Sequence, residues 1–593
     1  MEALLAAARS TGGIVLMAVM IVLFFGVMVY VGIYCRRKAK DVNGFVLGGR
    51  SVGPWLTAFT YGTSYFSAVI FIGYAGQFGY LFGVASTWIG IGNAIIGSLL
   101  AWVILGRRTR VMTQYLDTKT MPEFFGKRFD SNALKIVSAV IVFVFLIPYT
   151  ASLFNGLSRL FTVAFGFSNE NLAYIIIVLI MAVLTGVYVL VGGYMATAIN
   201  DFIQGIIMLV GIVAVIAVAL NANGGLTGSM EALVGAADAD GLAGWKYTSF
   251  FGAMPVFLFF VIILTSLGTW GLPQMVNKFY AIKSENDIRK GTIISTVFAI
   301  IVAGGCYFLG GFGHLFVPTA EFTAYDAIVP TILDKTIRSD FLMGIVVILV
   351  LSASMSTLSS LVLTSSSTLT LDLIKGHIVK KERMTERRQM IIMRVLLACF
   401  IAVSAAIAIV QKLYNVSTIA QLMGVSWGAL AGAFLAPFLY GLYSKKITKA
   451  SVWASFAVGV SISIFSFVCS LTKATFMTAT LSSGETLNFA NAVVMGAIAM
   501  IAGLIVVPLV SLCTYRYEVK KGKLDTARMD AVFSCFQGTV TVRRKDSLGT
   551  VEVADETIAD VAGAETPVLV EAAETTAAEA VETSAAVDTH DEE

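Results

Sequence analysis

Residues Ser352–Thr370 read SASMSTLSSLVLTSSSTLT, twelve hydroxyl side chains in nineteen residues. The stretch follows the apolar run FLMGIVVILVL in a chain of 593 residues that is 57% hydrophobic and only 13% charged. Soluble proteins average about a quarter charged residues, and hydroxyls are poor neighbours for lipid. On a helix advancing about 100° per residue, Ala353, Ser356, Thr357, Ser360, Thr364 and Ser367 share one arc of about 100°. Two readings fit such a stripe. Small residues let two helices approach closely while their hydroxyls bond back to carbonyls one turn earlier. Alternatively, the oxygens hold a hard cation together with carbonyls freed by an unwound neighbouring helix.

The rest of the chain offers unwound neighbours. Thirteen apolar runs, from 13–35 to 487–512, are each long enough to cross a hydrocarbon core of ~30 Å. The first is read as a retained helix, since it is too long for a cleaved leader core. Run 53–76, GPWLTAFTYGTSYFSAVIFIGYAG, carries Gly62 near its centre among Thr60, Thr63, Ser64 and Ser67. Run 249–280 is interrupted by TSLGTWGLPQ, with Gly268, Gly271 and Pro273. These polar, helix-weak residues are costly at mid-membrane depth unless they line a cavity or packed site. The interruptions open two successive five-helix sets, 53–220 and 249–442, and broken helices at corresponding places point to an inverted-repeat transporter with a midplane site.

The charges agree with thirteen crossings. Lys and Arg cluster at 36–40, 106–110, 126–129, 283–290, 380–388, 444–449 and 520–523, all on one side of the membrane if each run crosses once. The positive-inside rule makes that side cytoplasmic, with the N-terminus outside and the C-terminus inside. The expected organisation is an N-terminal helix and cytoplasmic loop (1–52), the first five-helix repeat (53–220) and an extracellular loop (221–248). A second, inverted repeat (249–442), two further helices (443–512) and a cytoplasmic tail (513–593) follow. The tail is basic to about 545; beyond it 546–593 hold no Lys or Arg and are rich in Ala, Thr, Glu and Asp, a composition that favours disorder. Six scattered cysteines without CxxC and three dispersed histidines provide neither a disulfide framework nor metal-ligand spacing. Enzyme chemistry therefore has no visible constellation, and nothing points to nucleic acid.

Several segments together resemble the sodium/solute symporters, the family of sodium/proline, pantothenate, sialic-acid and glucose cotransporters. They are GFVLGGRSVG (44–53), TMPEFFGKRF (120–129), GGYMATAINDFIQ (192–204), WGLPQMVNKF (270–279), MSTLSSLVLTSSSTLTLDL (355–373) and WGALAGAFLAPFLYGLYSKKIT (427–448). The resemblance implies an all-α polytopic membrane protein of about thirteen helices, with the LeuT-type inverted five-helix repeat. It also implies symport of a small organic solute with one or two sodium ions, in the plasma (inner) membrane.

Carried over by position, the family's common sodium site falls on the carbonyls of Thr63, Phe66 and Ala353 and the side chains of Ser356 and Thr357. Sialic-acid-transporting relatives have a second site, whose positions here are Ser359, Ser360 and Asp201. The alternatives for Asp201 are a carboxylate on the sodium exit path or a solvated group at a helix start. Solute candidates beside the two breaks are Ser67, Tyr149, Thr265, Ser266, Thr269 and Trp270. Tyr65 stands where the proline branch has an acid, which weighs against proline itself. Thr269 and Ser266 stand where the sugar branch has a gating aromatic and an amide, which weighs against a sugar. No Arg or Lys is expected mid-membrane in these helices, so a solute carboxylate would rest on helix N-termini and hydroxyls. A small carboxylate-bearing solute is the expectation. The rivals are a proton-coupled symporter of the same fold and a membrane solute sensor.

Overall fold

The computed structural model describes residues 11–556, apart from 166–169, 241–242, 323, 415–418, 473–477, 482–484, 537–539 and 546–550. Ten helices among the described residues are long and apolar enough to cross a bilayer, eleven if the bent pair Pro255–Gly271 and Pro273–Ala281 forms one span. Two of the ranges, Val69–Tyr115 and Asn171–Asn221, are 47 and 51 residues long. At about 1.5 Å per residue each would run to about 70 Å, twice the thickness of a ~30 Å core. Each contains a glycine in a backbone region closed to other residues: Gly83 (φ 60°, ψ −143°) and Gly193 (φ 56°, ψ −153°). A Cβ at Gly83 would also collide with the backbone of Tyr247. The chain turns at both, and dividing there recovers the thirteen runs read from the sequence.

Burial sorts these helices into lipid-facing and central ones. The most apolar part of Thr11–Cys35 is 22% buried, whereas that of Asp340–Ile378 is 78% and that of Ile419–Tyr443 is 94%. Hydroxyls suit the second environment because neighbouring helices, rather than lipid, satisfy them. The hydroxyl helix, Asp340–Thr368, accordingly has every residue from Leu349 to Thr368 buried. It packs against Glu170–Asn221, Asn132–Phe165 and the first broken helix.

The two interruptions differ in cause. Pro273 has no N–H to donate and crowds the turn before it, so the preceding helix ends at Gly271. Leu272 becomes extended (φ −81°, ψ 121°), and the halves meet at 46°. In the first broken helix the expected break at Gly62 is not where the chain opens. Pro54–Tyr65 is continuous through Gly62, and the helix ends at Phe66 (φ −97°, ψ 83°). Gly62 instead gives room to Phe298, whose ring a Cβ would strike. The Ser67 side chain then accepts from the Val69 N–H at 3.2 Å and starts the second half.

The tail is more ordered than its composition suggests. Helix Thr526–Ser534 buries Met529, Val532 and Phe533. Arg528 donates to the Lys127 carbonyl at 2.5 Å and pairs with Asp130 at 3.2 Å. Strands Val540–Lys545 and Val551–Glu556 pair antiparallel, so the segment expected to be disordered from 546 carries a strand. Residues 557–593 lie outside the described residues.

A second polar cluster ties the loops beyond Gly310. The buried His314 ring lies between Tyr80 and Tyr247, with centroids 3.7 and 3.9 Å away. Its Nε2–H donates to the Tyr80 carbonyl at 2.9 Å, and Nδ1 is 3.6 Å from Asp240. Burial pushes the His314 pKa below its ordinary value of about 6.5, outweighing the opposing pull of Asp240. The unfolded chain therefore takes up a proton below pH of about 6.5 that the folded ring still refuses, and stability falls as pH drops through that range. His314→Phe, which keeps the aromatic stack, is expected to flatten the dependence of melting temperature on pH between about 7 and 5. An equally steep fall in the variant would rule His314 out as its source.

Candidate functional site

The end of a helix leaves its last carbonyls without intrahelical partners. At the first break the Gly62 carbonyl still receives the Phe66 N–H at 2.9 Å. Its neighbour Thr63 lies in the last turn, where the residue four positions on, Ser67, has already left the helix. The hydroxyl helix fills that gap. Ser356 Oγ donates to the Thr63 carbonyl at 3.0 Å and Thr357 Oγ1 at 3.1 Å. Both hydroxyls also lie on the Ala353 carbonyl, at 3.3 and 3.2 Å, and Thr357 reaches the Ser64 carbonyl at 3.4 Å. Thr63, Ala353, Ser356 and Thr357 are thus gathered into one buried set of oxygens, with Phe66 at the break itself. These are neutral, hard donors, the kind an alkali ion uses in place of its hydration shell.

One turn further along, Ser360 Oγ is 2.8 Å from Ser64 Oγ and accepts from the Lys278 ammonium at 2.8 Å. Lys278 is 2% exposed, which corrects the expectation that these helices carry no buried cation. Asp201 is fully buried rather than solvated at a helix start, and Lys278 is the opposite charge that acts on it. Ser359 turns aside: its hydroxyl donates to the Ser356 carbonyl at 2.9 Å. The run read as 249–280 ends close to Lys278, and a lysine there looks in sequence like one that snorkels to the surface.

The solute candidates divide into two groups. Ser67 lies at the first break, and the buried Tyr149 hydroxyl has Ser67 and Trp427 as polar neighbours. The Trp427 ring meets Tyr149 edge-on at 5.9 Å, and its Nε1–H is buried and unpaired among the described residues. Tyr149, Ser67 and Trp427 thus bring three polar groups together at the first break. Thr265, Ser266, Thr269 and Trp270 lie along the second broken helix, each with a hydrogen bond. Ser266 donates to Asn93 Oδ1 at 3.0 Å, Thr269 to the Gly97 carbonyl at 3.1 Å and Trp270 Nε1 to the Ile96 carbonyl at 3.0 Å. Thr265 bonds back to the Val261 carbonyl at 2.8 Å. The Ser266, Thr269 and Trp270 bonds tie the second broken helix to a π-helical stretch, Asn93–Leu100, that sequence periodicity does not reveal. Trp427 opens the family-like segment 427–448, but nothing local in the sequence places it beside the distant Tyr149.

The family model for the sodium:solute symporter family matches residues 45–459, which span all of these groups. The chain belongs to the sodium:solute symporter family. The symporter is 29% identical over 457 residues to the osmoregulated proline transporter OpuE of Bacillus subtilis (strain 168), covering 76% of this chain and 89% of that one. It is 30% identical over 452 residues to the sodium/proline symporter of Staphylococcus aureus (strain JH9), covering 75% and 85%. Among solved structures, a Na+-coupled sialic acid symporter in a substrate-bound outward-open state superposes with a TM-score of 0.64 at 17% identity, over 83% of this chain and 97% of that chain. The fold is therefore of the LeuT type, and the symporter is a sodium-coupled solute transporter, not an enzyme.

Proposed function

We propose that the symporter carries a small amino or imino acid, proline or a close analogue, into the cell with sodium bound at Thr63, Phe66, Ala353, Ser356 and Thr357. The observation that carries the sodium assignment is the convergence of the Ser356 and Thr357 hydroxyls, at 3.0 and 3.1 Å, on the Thr63 carbonyl of a broken helix. The solute class is supported by the proline transporters among the relatives and by the small, hydroxyl-bearing surroundings of the break. Tyr65 does not argue against it on structural grounds. Its hydroxyl is spent on the Thr265 carbonyl at 2.6 Å and its ring stacks on Phe66, so it shapes the break and bears no charge.

The two helix sets 53–220 and 249–442 act as the inverted halves that rock about this site. The protein lies in the plasma (inner) membrane with its N-terminus outside, as the distribution of Lys and Arg supports. Asp201, Ser359 and Ser360 lie on the route between the sodium cluster and the cytoplasm.

Uptake of labelled proline by the purified protein in liposomes tests the reading. An imposed sodium gradient should drive accumulation that a proton gradient alone does not. Robust sodium-driven uptake of glucose, with no response to any carboxylate-bearing solute, would refute the solute class. Tyr149→Phe should raise the proline concentration for half-maximal uptake about fivefold, the loss of one hydrogen bond worth about 1 kcal/mol, while sodium activation stays the same. An unaltered proline requirement would remove Tyr149 from the solute site.

A further inference from the structure

The symporter holds a positive charge of its own beside the sodium cluster. Lys278 is buried in the second broken helix, and its Nζ donates to Ser360 Oγ at 2.8 Å. The Tyr194 ring lies with its centroid 5.4 Å from the ammonium. Asp201 is fully buried, and the groups that favour its charge are Lys278 and the Thr60 hydroxyl. A buried carboxylate needs a compensating charge, and Lys278 is the cation within electrostatic reach. Ser360 continues the contact to Ser64 at 2.8 Å, next to the Thr63 carbonyl that receives Ser356 and Thr357.

We propose that the Lys278 ammonium is a tethered cation that occupies the place of a second sodium ion, so that one sodium accompanies each solute. This inference rests on the sodium-symport reading above. The three side chains expected to form a second site are already committed. Ser360 accepts from the ammonium, Asp201 balances its charge, and Ser359 donates to the Ser356 carbonyl of its own helix at 2.9 Å. A sodium ion on Ser360 would sit against a like charge held on the same oxygen, in surroundings too poorly screened to tolerate it. The lysine also fixes a charge that a mobile ion would supply only at high sodium concentration.

The test uses the full-length protein in liposomes, with proline as the transported probe. The unmutated protein should show a Hill coefficient for sodium near one and reversal potentials that fit one sodium per proline. In Lys278→Ala the volume beside Asp201 and Ser360 is vacated, and both measures should move towards two. Melting temperatures in detergent provide an arm independent of transport. Asp201→Asn alone should melt well below the unmutated protein, because it leaves the ammonium uncompensated, and Asp201→Asn with Lys278→Met should regain most of the loss. A two-to-one ratio in the unmutated protein, or an Asp201→Asn variant as stable as its parent, would overturn the inference. Proline transport indifferent to sodium would instead overturn the coupling reading, and the melting arm would still decide whether the two charges balance each other.

Discussion

Replacing Ser356 and Thr357 together with alanine is expected to raise the sodium concentration for half-maximal transport at least tenfold, a loss of about 1.4 kcal/mol or more. Both hydroxyls lie within 3.1 Å of the Thr63 carbonyl and within 3.3 Å of the Ala353 carbonyl. Among the described residues no charged side chain is bonded to these oxygens, so at the proposed site neutral donors must supply the whole coordination shell. Losing two of them leaves an ion with fewer oxygens than it keeps in water. The single variants should each show a smaller shift, and the pair should exceed their sum, because the two hydroxyls share one carbonyl. Sodium titrations of uptake at fixed pH and fixed solute check this. An unchanged sodium requirement in the double variant would move the ion elsewhere in the fold.

The second large effect is on stability. Asp372, fully buried at the far end of the hydroxyl stretch, accepts from Thr120 Oγ1 at 2.5 Å and pairs with Lys135 at 3.3 Å. The same ammonium donates to the Leu371 carbonyl at 3.2 Å. Lys135→Met keeps the aliphatic packing but strands the carboxylate, and breaking a buried pair from one side typically costs about 3–5 kcal/mol. The variant should melt far below the unmutated protein in detergent. Combining it with Asp372→Asn, which removes the stranded charge, should restore most of the loss. A Lys135→Met variant as stable as its parent would show that Thr120 alone suffices for Asp372. The contact joins the start of Asn132–Phe165 to the end of the hydroxyl helix, so weakening it should also favour opening on that side.

What was legible in the sequence followed from local physics. Hydropathy marks each crossing because a backbone in lipid must be helical and its side chains apolar. The hydroxyl arc depends only on the helical period, and Ala353, Ser356 and Thr357 do converge. Pro273 announces its own break through a missing N–H. Gly193 falls between the runs 172–191 and 197–220 and was legible as a turn, whereas Gly83 lies inside the run 80–105, where nothing local marks one among 54 glycines.

The sequence by itself therefore determined a polytopic helical transporter, its two interrupted helices and the small, hydroxyl-bearing face of the hydroxyl helix. Tertiary structure decided where the first helix opens, since Phe66 carries no breaking signal and the hydroxyls that take the Thr63 carbonyl come from 293 and 294 positions away. It also decided that Asp201 and Lys278 are both buried in the bundle, that Trp427 stands at Tyr149, and that Ser266, Thr269 and Trp270 bond to the stretch Asn93–Leu100. The physical reason is common to all of these. Hydropathy and helical period belong to a segment, whereas the burial, pairing and vacancy of a polar group belong to whatever other segments pack around it.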